Sequence, residues 1–271
     1  MNYLSDEFSD LEAVAEKYKE AYKSADPFPN IYFDNFFNPE FLDKVLGEFP
    51  DLSQGSSLKL NHQHSKKLAS RGEQRFGPYT KEFTRFLNSE RFLLFLQVLT
   101  NMERPLIPDP YFFGGGFHEI KRDGFLKIHA DFNKHDQLGI DRRLNILVYL
   151  NKDWDESYGG HFELWDKDMK ACVKKVPPTF NTLAMFSTTD FSYHGHPNPL
   201  TCPPDRSRKS LAMYFYSNGR PAEEVIAGNE VHSTLYKARA GNTADKPSFK
   251  YRMKNLAKDL TPPIVFKMLG R

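Results

Sequence analysis

The feature that most constrains this fold is a series of short segments rich in aromatic and β-branched residues in the second half of the chain. Clusters of Gly, Pro, Asn and Asp separate these segments, and no helical periodicity lies between them. Strands at this spacing favour an antiparallel sandwich or barrel over alternating βαβ units. The candidate strands are residues 111–120, 125–132, 143–150, 160–166, 183–194 and 208–217.

The first 110 residues have a mainly helical pattern. Residues 9–23 repeat apolar residues at helical spacing, and Ser9 with Glu12 fits a capping box at the start of that helix. Further elements predicted in this part are a strand at Ile31–Phe37, a helix that follows the Asn38-Pro39 cap, and helices over residues 80–100 with a cap at Ser89.

Residues 51–78 are polar, show little periodicity and predict a loop that contains His62 and His64. At the other end, residues 237–271 carry nine Lys or Arg against two Asp and predict a basic tail with a short helix near 249–260. The expected organisation, within one structural domain, is a helical N-terminal layer (1–110), a β core (111–220) and a basic C-terminal extension (221–271).

Composition excludes several classes of protein. The net charge of +2 is too balanced for a chain selected to bind nucleic acid. Cys172 and Cys202 are the only cysteines, so neither a disulfide framework nor a zinc knuckle is expected. The acidic start lacks an apolar signal region, and no apolar run approaches the ~18 residues of a membrane span. A cytoplasmic protein without membrane or nucleic-acid partners is predicted.

The segment Leu126–Phe132 contains a pair of candidate metal ligands, His129 and Asp131. In a strand, residues i and i+2 point to the same face, so both side chains can face inward while Ala130 faces away. A histidine from a distant strand would complete a 2-His-1-carboxylate triad, which leaves open positions on Fe(II). Because the chain has nine histidines, a single His-x-Asp triplet is weak evidence alone.

A distal histidine is available at Tyr193-His194-Gly195-His196, where His194 and His196 are alternative ligands. A proline-rich loop follows, and Arg208 then opens the next strand. A guanidinium at this point could bind a carboxylate with two hydrogen bonds, which suits the C5 carboxylate of 2-oxoglutarate. Arg206 is a competitor for this role, but it lies in the loop before the strand.

In this order, the residues resemble the prolyl-hydroxylase branch of the 2-oxoglutarate oxygenases. The strong resemblance covers about 114–217, and the chain also resembles bacterial 2-oxoglutarate oxygenases of unassigned substrate. The motifs that carry the resemblance are His129-x-Asp131, Tyr149–Asp155, Gly159-Gly160, His194 and Arg208, together with Asp34–Phe41, Gly114–Ile120 and His194–Pro199.

The resemblance implies a double-stranded β-helix, or jelly roll, with iron held by His129, Asp131 and His194. In the family, an apolar residue lies two positions after the distal ligand and a proline follows it. His196 and Pro197 occupy these two positions, so the resemblance favours His194 over His196 as the distal ligand. It also assigns the cosubstrate pocket to three residues, namely Arg208 and Tyr149 on the C5 carboxylate and Phe162, where the family often has Leu. The tyrosine that the family carries on the strand before His-x-Asp has no clear counterpart in Phe117–Ile120.

The implied activity is hydroxylation of an unactivated C–H bond with Fe(II), 2-oxoglutarate and O₂, releasing succinate and CO₂. Ascorbate is a candidate reductant, and the acidic Asp131 argues against the related halogenases. Expected substrates are a small molecule, an amino acid or prolyl residue, or a sugar-type compound. One alternative is a non-redox cupin-like isomerase or hydrolase, which leaves Arg208 and Tyr149 unexplained. The other is a catalytically inactive binding module, against which the complete triad argues.

Other polar residues are predicted to have lesser roles. His161 and Glu163 form a His-x-Glu triplet that is expected to face outward. Asn145 shares a face with Tyr149, where it could hydrogen-bond near the iron or serve packing alone. The histidines expected to be superficial or structural are His118, His135 and His232.

Overall fold

A computed structural model of the chain describes residues 2–55, 57–227 and 231–245. The helices are α1 (Leu11–Lys23), α2 (Pro39–Gly47), α3 (Pro78–Leu87) and α4 (Glu90–Thr100). The strands are β1 (Asn30–Phe33), β2 (Leu58–His62), β3 (Ser65–Ala69), β4 (Ile107–Pro108), β5 (Gly116–Lys121), β6 (Phe125–Ala130), β7 (Asp141–Tyr149), β8 (Phe162–Trp165), β9 (Cys172–Val176), β10 (Leu183–Ser187), β11 (His194–His196), β12 (Ser207–Ser217) and β13 (Leu235–Tyr236).

Two groups of antiparallel strands form a nearly closed barrel. One group has the order β1-β10-β7-β12-β5 and the other has the order β6-β11-β8-β9. This arrangement is the predicted double-stranded β-helix, and the fold prediction is confirmed. Strand β9 was not predicted, and the candidate strand 183–194 consists of β10 followed by a turn into β11.

The hairpin β2–β3 closes the barrel, although residues 51–78 were predicted to be a loop. Strand β3 pairs with β5 on one side and with the first half of β6 on the other. The strand was not predicted because its sequence is polar and rich in lysine. Its burial nevertheless alternates at the start, with Ser65 and Ala69 buried and Lys66 exposed. Both His62 and His64 therefore belong to a structured hairpin rather than to a solvated loop.

The helical layer packs against one face of the barrel through a core of aromatic and aliphatic residues. Asn38 accepts a hydrogen bond from the amide of Phe41, and Ser89 accepts one from Phe92, as their positions predicted. The cap of α1 is Asp10 rather than Ser9. Each fully buried Phe contributes roughly 1.5–3 kcal/mol through burial. Within the described part of residues 1–110, the phenylalanines with no exposed surface are Phe36, Phe37, Phe83 and Phe92.

The C-terminal extension returns to the barrel within its described part. Strand β13 pairs with the second half of β6, which places Tyr236 opposite His129. Asp245 fixes this segment by accepting hydrogen bonds from Lys127 at 2.7 Å and from Arg239. The predicted helix near 249–260 and most of the basic tail lie outside the described residues. Among the described residues, every helix is too short or too polar to cross a membrane.

Candidate metal centre

Three side chains converge at the end of β6 and the start of β11. The candidate ligand atoms of His129, Asp131 and His194 all lie within 4.8 Å of one another. The antiparallel pairing of β6 with β11 places His194 directly opposite His129. Asp131 follows the last residue of β6, and its carboxylate lies 3.5 Å from Nε2 of His129 and 3.4 Å from Nε2 of His194.

Main-chain carbonyl groups orient both imidazoles. Nδ1 of His129 lies 2.8 Å from the carbonyl oxygen of Lys127, and Nδ1 of His194 lies 2.8 Å from that of Ser192. Because a carbonyl only accepts, each Nδ1 donates its proton and each Nε2 keeps a lone pair that faces the other ligands. Burial lowers the pKa of His194 to about 3, so this imidazole is neutral and able to bind a metal.

Asp131 is held by two residues on β7. Its Oδ2 accepts hydrogen bonds from Asn145 at 2.7 Å and from Arg142 at 3.0 Å, and Nε of Arg142 donates to Asn145 at 2.8 Å. The guanidinium of Arg142 also lies 3.5 Å from the ring centre of Tyr214. Burial alone would raise the pKa of Asp131, but Arg142 and the two histidines hold it well below its usual range.

A second group of residues lies in the same cavity, away from the triad. Arg208 is buried and donates to the hydroxyl of Tyr149 at 3.0 Å and to the carbonyl oxygen of Gly160 at 2.7 Å. Gly160 has a φ of +75°, and a Cβ there would lie 2.9 Å from Cδ of Arg208, so the guanidinium needs a glycine at this position. Phe162 lines the cavity, with its ring centre 5.6 Å from that of His194.

His196 also lines this cavity instead of replacing His194 in the triad. Its side chain is buried, and neither of its ring nitrogens has a hydrogen-bond partner among the described residues. Between the two histidines, a Cβ on Gly195 would lie 2.7 Å from the carbonyl oxygen of Leu126. The glycine therefore allows β11 to approach β6 closely, and this approach places the imidazoles of His194 and His196 along the cavity.

The structure places the other sequence candidates as follows. His118, expected to be superficial or structural, lines the cavity and lies 3.0 Å from the carbonyl oxygen of Gly114 through Nε2. His161 is half-buried, whereas Glu163, on the face of β8 opposite Phe162, is buried and accepts a hydrogen bond from Trp165. Asn145 donates a hydrogen bond to Asp131 of the triad, which is one of the two roles expected for it. His135 is buried and His232 lies 2.7 Å from Asp190.

Arg206 is less solvated than expected. It is half-buried and donates to the carbonyl oxygens of Lys152 and Asp153, so it stabilises the loop before β12. It does not line the cavity that contains Arg208.

Sequence reasoning missed three residues around the site. Arg142 was overlooked because arginine is rarely buried, although two adjacent arginines at the start of an apolar strand are a usable signal. Lys67 lines the cavity from β3, in the segment predicted to be a loop. Tyr236 lies with its ring centre 5.5 Å from that of His129 and stacks on His64 at 4.3 Å.

Comparison with known proteins identifies relatives of the central segment. Residues 115–216 match the family model of the 2OG-Fe(II) oxygenase superfamily. Over 86 residues the chain is 33% identical to Prolyl 3-hydroxylase OGFOD1 of Mus musculus. This match covers 30% of the present chain and 15% of the relative's length.

Two solved structures share the fold. A prolyl-4-hydroxylase from Pseudomonas putida has a TM-score of 0.54 and 15% identity, with 77% of this chain and 100% of that chain covered. A prolyl hydroxylase from Trichoplax adhaerens, solved with a hypoxia inducible factor peptide fragment, has a TM-score of 0.54 and 16% identity. That alignment covers 78% of this chain and 92% of the other. At these identities the likeness concerns the fold.

The donor set fits the metal that the family implies. Two imidazole Nε2 atoms and one ionised carboxylate form the combination typical of non-haem Fe(II) sites. Asp131 is the one acidic residue among the described residues that line the cavity, so no second carboxylate competes for the metal there. The matched family model and the geometry of the triad together imply Fe(II) and 2-oxoglutarate as cofactor and cosubstrate.

Proposed function

We propose that this chain is a dioxygenase that hydroxylates an unactivated C–H bond, because its residues 115–216 match the family model of the 2OG-Fe(II) oxygenase superfamily. The observation that carries the proposal is that one cavity contains both the triad of His129, Asp131 and His194 and the buried guanidinium of Arg208. A non-redox metal site would need the triad but would not need a carboxylate-binding arginine beside it.

In this proposal His129, Asp131 and His194 hold Fe(II). When bound, iron and 2-oxoglutarate together supply the oxidation, in which O₂ gives one oxygen atom to succinate and one to the substrate hydroxyl while CO₂ is lost. The chain's contribution is geometric. Carbonyl groups of the main chain fix both imidazoles, while Arg142 and Asn145 fix the carboxylate, so the ligands need little rearrangement to bind the metal.

Arg208 and Tyr149 are proposed to bind the C5 carboxylate of 2-oxoglutarate. The guanidinium has no acidic partner among the described residues, and its Nη2 already lies 3.0 Å from the tyrosine hydroxyl. An incoming carboxylate would therefore receive charge-assisted hydrogen bonds in a setting that excludes water. Phe162 lies across the cavity and would limit its width beside His194.

The proposed substrate is a small molecule or a peptide, with a prolyl group as the leading candidate. Support comes from the relatives described above, which are named as prolyl hydroxylases. The rim of the site, where Tyr236 stacks on His64 beside His129, offers flat apolar surfaces suited to a ring.

The test is to incubate the purified chain with Fe(II), ascorbate, 2-oxoglutarate and ¹⁸O₂, and to measure succinate and labelled products. Prolyl peptides, free amino acids and sugars form the substrate panel. Succinate should form slowly alone and faster with the right substrate, whose product should carry one ¹⁸O atom. Absence of succinate from iron-loaded protein across the panel would contradict the proposed oxygenase.

A further inference from the structure

His196 lines the cavity without a role in the triad. The residue is 3% exposed, and neither Nδ1 nor Nε2 has a hydrogen-bond partner among the described residues. A neutral imidazole carries one N–H donor and one acceptor, and buried polar groups of this kind are normally satisfied. We therefore expect the missing partner to be a ligand that enters the cavity.

The pairing of β11 with β6 shows which end of the cavity His196 faces. His194 lies opposite His129, whereas His196 lies opposite Leu126, which is further from Asp131 along β6. The rise of a strand sets His196 about 7 Å beyond His194, and alternate residues of a strand share a face. Both imidazoles therefore face the cavity, but His196 lies on the side of His194 that is away from Asp131.

Arg208 reaches the same end of the cavity from β12. Its Nε donates to the carbonyl oxygen of Gly160 at 2.7 Å. Strand β8 begins at Phe162, two residues after Gly160, and pairs antiparallel with β11. Continued by one residue, that register sets Phe162 beside His196. The guanidinium and the imidazole of His196 therefore border the same part of the cavity, beyond the triad.

Strand β3 brings a second cation to this end. The register of β3 with β5, continued by one residue, sets Lys67 beside Ile120, and Ile120 lies opposite Arg208 on β12. Lys67 lines the cavity, and its amine makes no hydrogen bond and no ion pair within the described part of the chain. Two cations on the strands that flank β5 repel each other, and an anion between them would offset this repulsion. The end of the cavity that His196 faces is therefore suited to a carboxylate.

We propose that His196 donates a hydrogen bond from β11 to the C5 carboxylate of 2-oxoglutarate, the group that Arg208 and Tyr149 bind from β12 and β7. The inference rests on the proposed function, because it requires this cosubstrate in the cavity. The spacing suits the molecule, since its two carboxylates are three carbon atoms apart and the two histidines of β11 are two residues apart. One short strand then serves both ends of the ligand, with His194 at the metal and His196 at the distal carboxylate.

The experiment compares two acids that differ only at the C5 end. 2-Oxoglutarate ends in a second carboxylate, whereas 2-oxovalerate ends in a methyl group. Their dissociation constants are measured by calorimetry under anaerobic conditions with Fe(II)-loaded protein. The variants are His196→Leu, which removes both ring nitrogens, and His196→Gln, which keeps a donor. His161→Leu is the matched control, since His161 is half-buried and does not line the cavity.

His196→Leu should weaken the binding of 2-oxoglutarate about tenfold to one-hundredfold, the usual range for a hydrogen bond to a charged group. It should leave the binding of 2-oxovalerate nearly unchanged, because that acid has no C5 carboxylate. His196→Gln should keep most of the affinity for 2-oxoglutarate, and His161→Leu should change neither constant. Iron content, measured in parallel, should be the same in all of these proteins.

Two outcomes would overturn the inference alone. If His196→Leu bound 2-oxoglutarate as the wild type does, the imidazole would not bind the carboxylate. If it weakened both acids by the same factor, His196 would act on the metal end or on the shape of the cavity rather than on C5. Should the leucine variant fold poorly or lose iron, His196→Met provides the same comparison with a more adaptable side chain. A wild-type protein that binds Fe(II) but neither acid would instead contradict the proposed function, and the inference with it.

Discussion

The two ends of the central cavity differ in how their charges are balanced. At the metal end, carbonyl groups hold His129 and His194 in position, and Asp131 is paired with Arg142. At the anion end, Arg208 is hydrogen-bonded only to neutral oxygens, and Lys67 has no partner in the described part of the chain. The protein itself supplies the partners of the metal ligands, whereas the cations at the anion end have no acidic partner among the described residues.

Because their charges are balanced differently, we expect the two ends to respond separately to substitution. Changes at the metal end should remove the metal and everything that depends on it. Changes at the anion end should weaken the cosubstrate and leave the metal in place.

His194→Ala should abolish iron binding and turnover, because it removes one of three ligands in a preformed triad. His196→Ala should keep measurable iron and some turnover, since its ring nitrogens have no partner in the triad. Iron content after anaerobic loading measures both. The reverse pattern would make His196 the distal ligand and would require a different pairing of β11 with β6.

Arg208→Ala should raise the 2-oxoglutarate concentration needed for half-maximal turnover by roughly 30-fold or more. A buried charge-assisted pair of this type costs about 2–5 kcal/mol when one partner is truncated. Iron content should be unchanged. Arg206→Ala is the control, because Arg206 contacts the loop carbonyls of Lys152 and Asp153 and lies outside the cavity. An unchanged 2-oxoglutarate requirement in Arg208→Ala would place the anchor elsewhere.

Asn145→Ala should weaken iron binding about tenfold, because residues that orient metal ligands are typically worth 10-fold to 100-fold in affinity. It removes the 2.7 Å hydrogen bond to Asp131 and keeps all three ligands. Titration with Fe(II) in the absence of 2-oxoglutarate measures this effect. If only the 2-oxoglutarate affinity changed, Asn145 would belong to the anion end and the separation would be less sharp.

A further prediction concerns the stability of the metal-free protein as a function of pH. The pKa of His194 is about 3 in the folded chain and about 6.5 when unfolded. Between these values the unfolded state binds more protons, so lowering the pH from 6.5 toward 3 destabilises the fold, by at most about 1.4 kcal/mol per pH unit from this group. Denaturant titrations give the free energy of unfolding at each pH. The slope of this free energy against pH should be steeper for wild type than for His194→Gln over this window. Identical slopes would contradict a neutral, buried His194.

The metal end could be predicted from sequence more completely than the anion end. His129 and Asp131 are two residues apart, so strand periodicity alone places them on one face. The order of motifs in the resembling family then predicted that His194 completes the triad and that Arg208 lies in the same cavity. By contrast, Lys67 reaches the cavity only because β3 pairs with both β5 and β6, and nothing local in a polar segment indicates that pairing.

Two further residues show why tertiary context was needed. Arg142 is 1% exposed, and its burial is tolerated because Asp131 and the ring of Tyr214 both contact it. Tyr236 lies in a segment with little periodicity, yet β13 sets it beside His129. In both cases the partner is distant in sequence, so neither composition nor spacing could have assigned it.

The most direct test of the central claim is an anaerobic titration of the Fe(II)-loaded chain with 2-oxoglutarate, followed by visible absorption. If the 2-oxo acid chelates iron held by the triad, a charge-transfer band should appear and saturate. It should need more 2-oxoglutarate in Arg208→Ala and be absent in His194→Ala. A wild-type protein that retains its iron yet develops no band at saturating 2-oxoglutarate would contradict the account of one cavity that joins a metal end to an anion end.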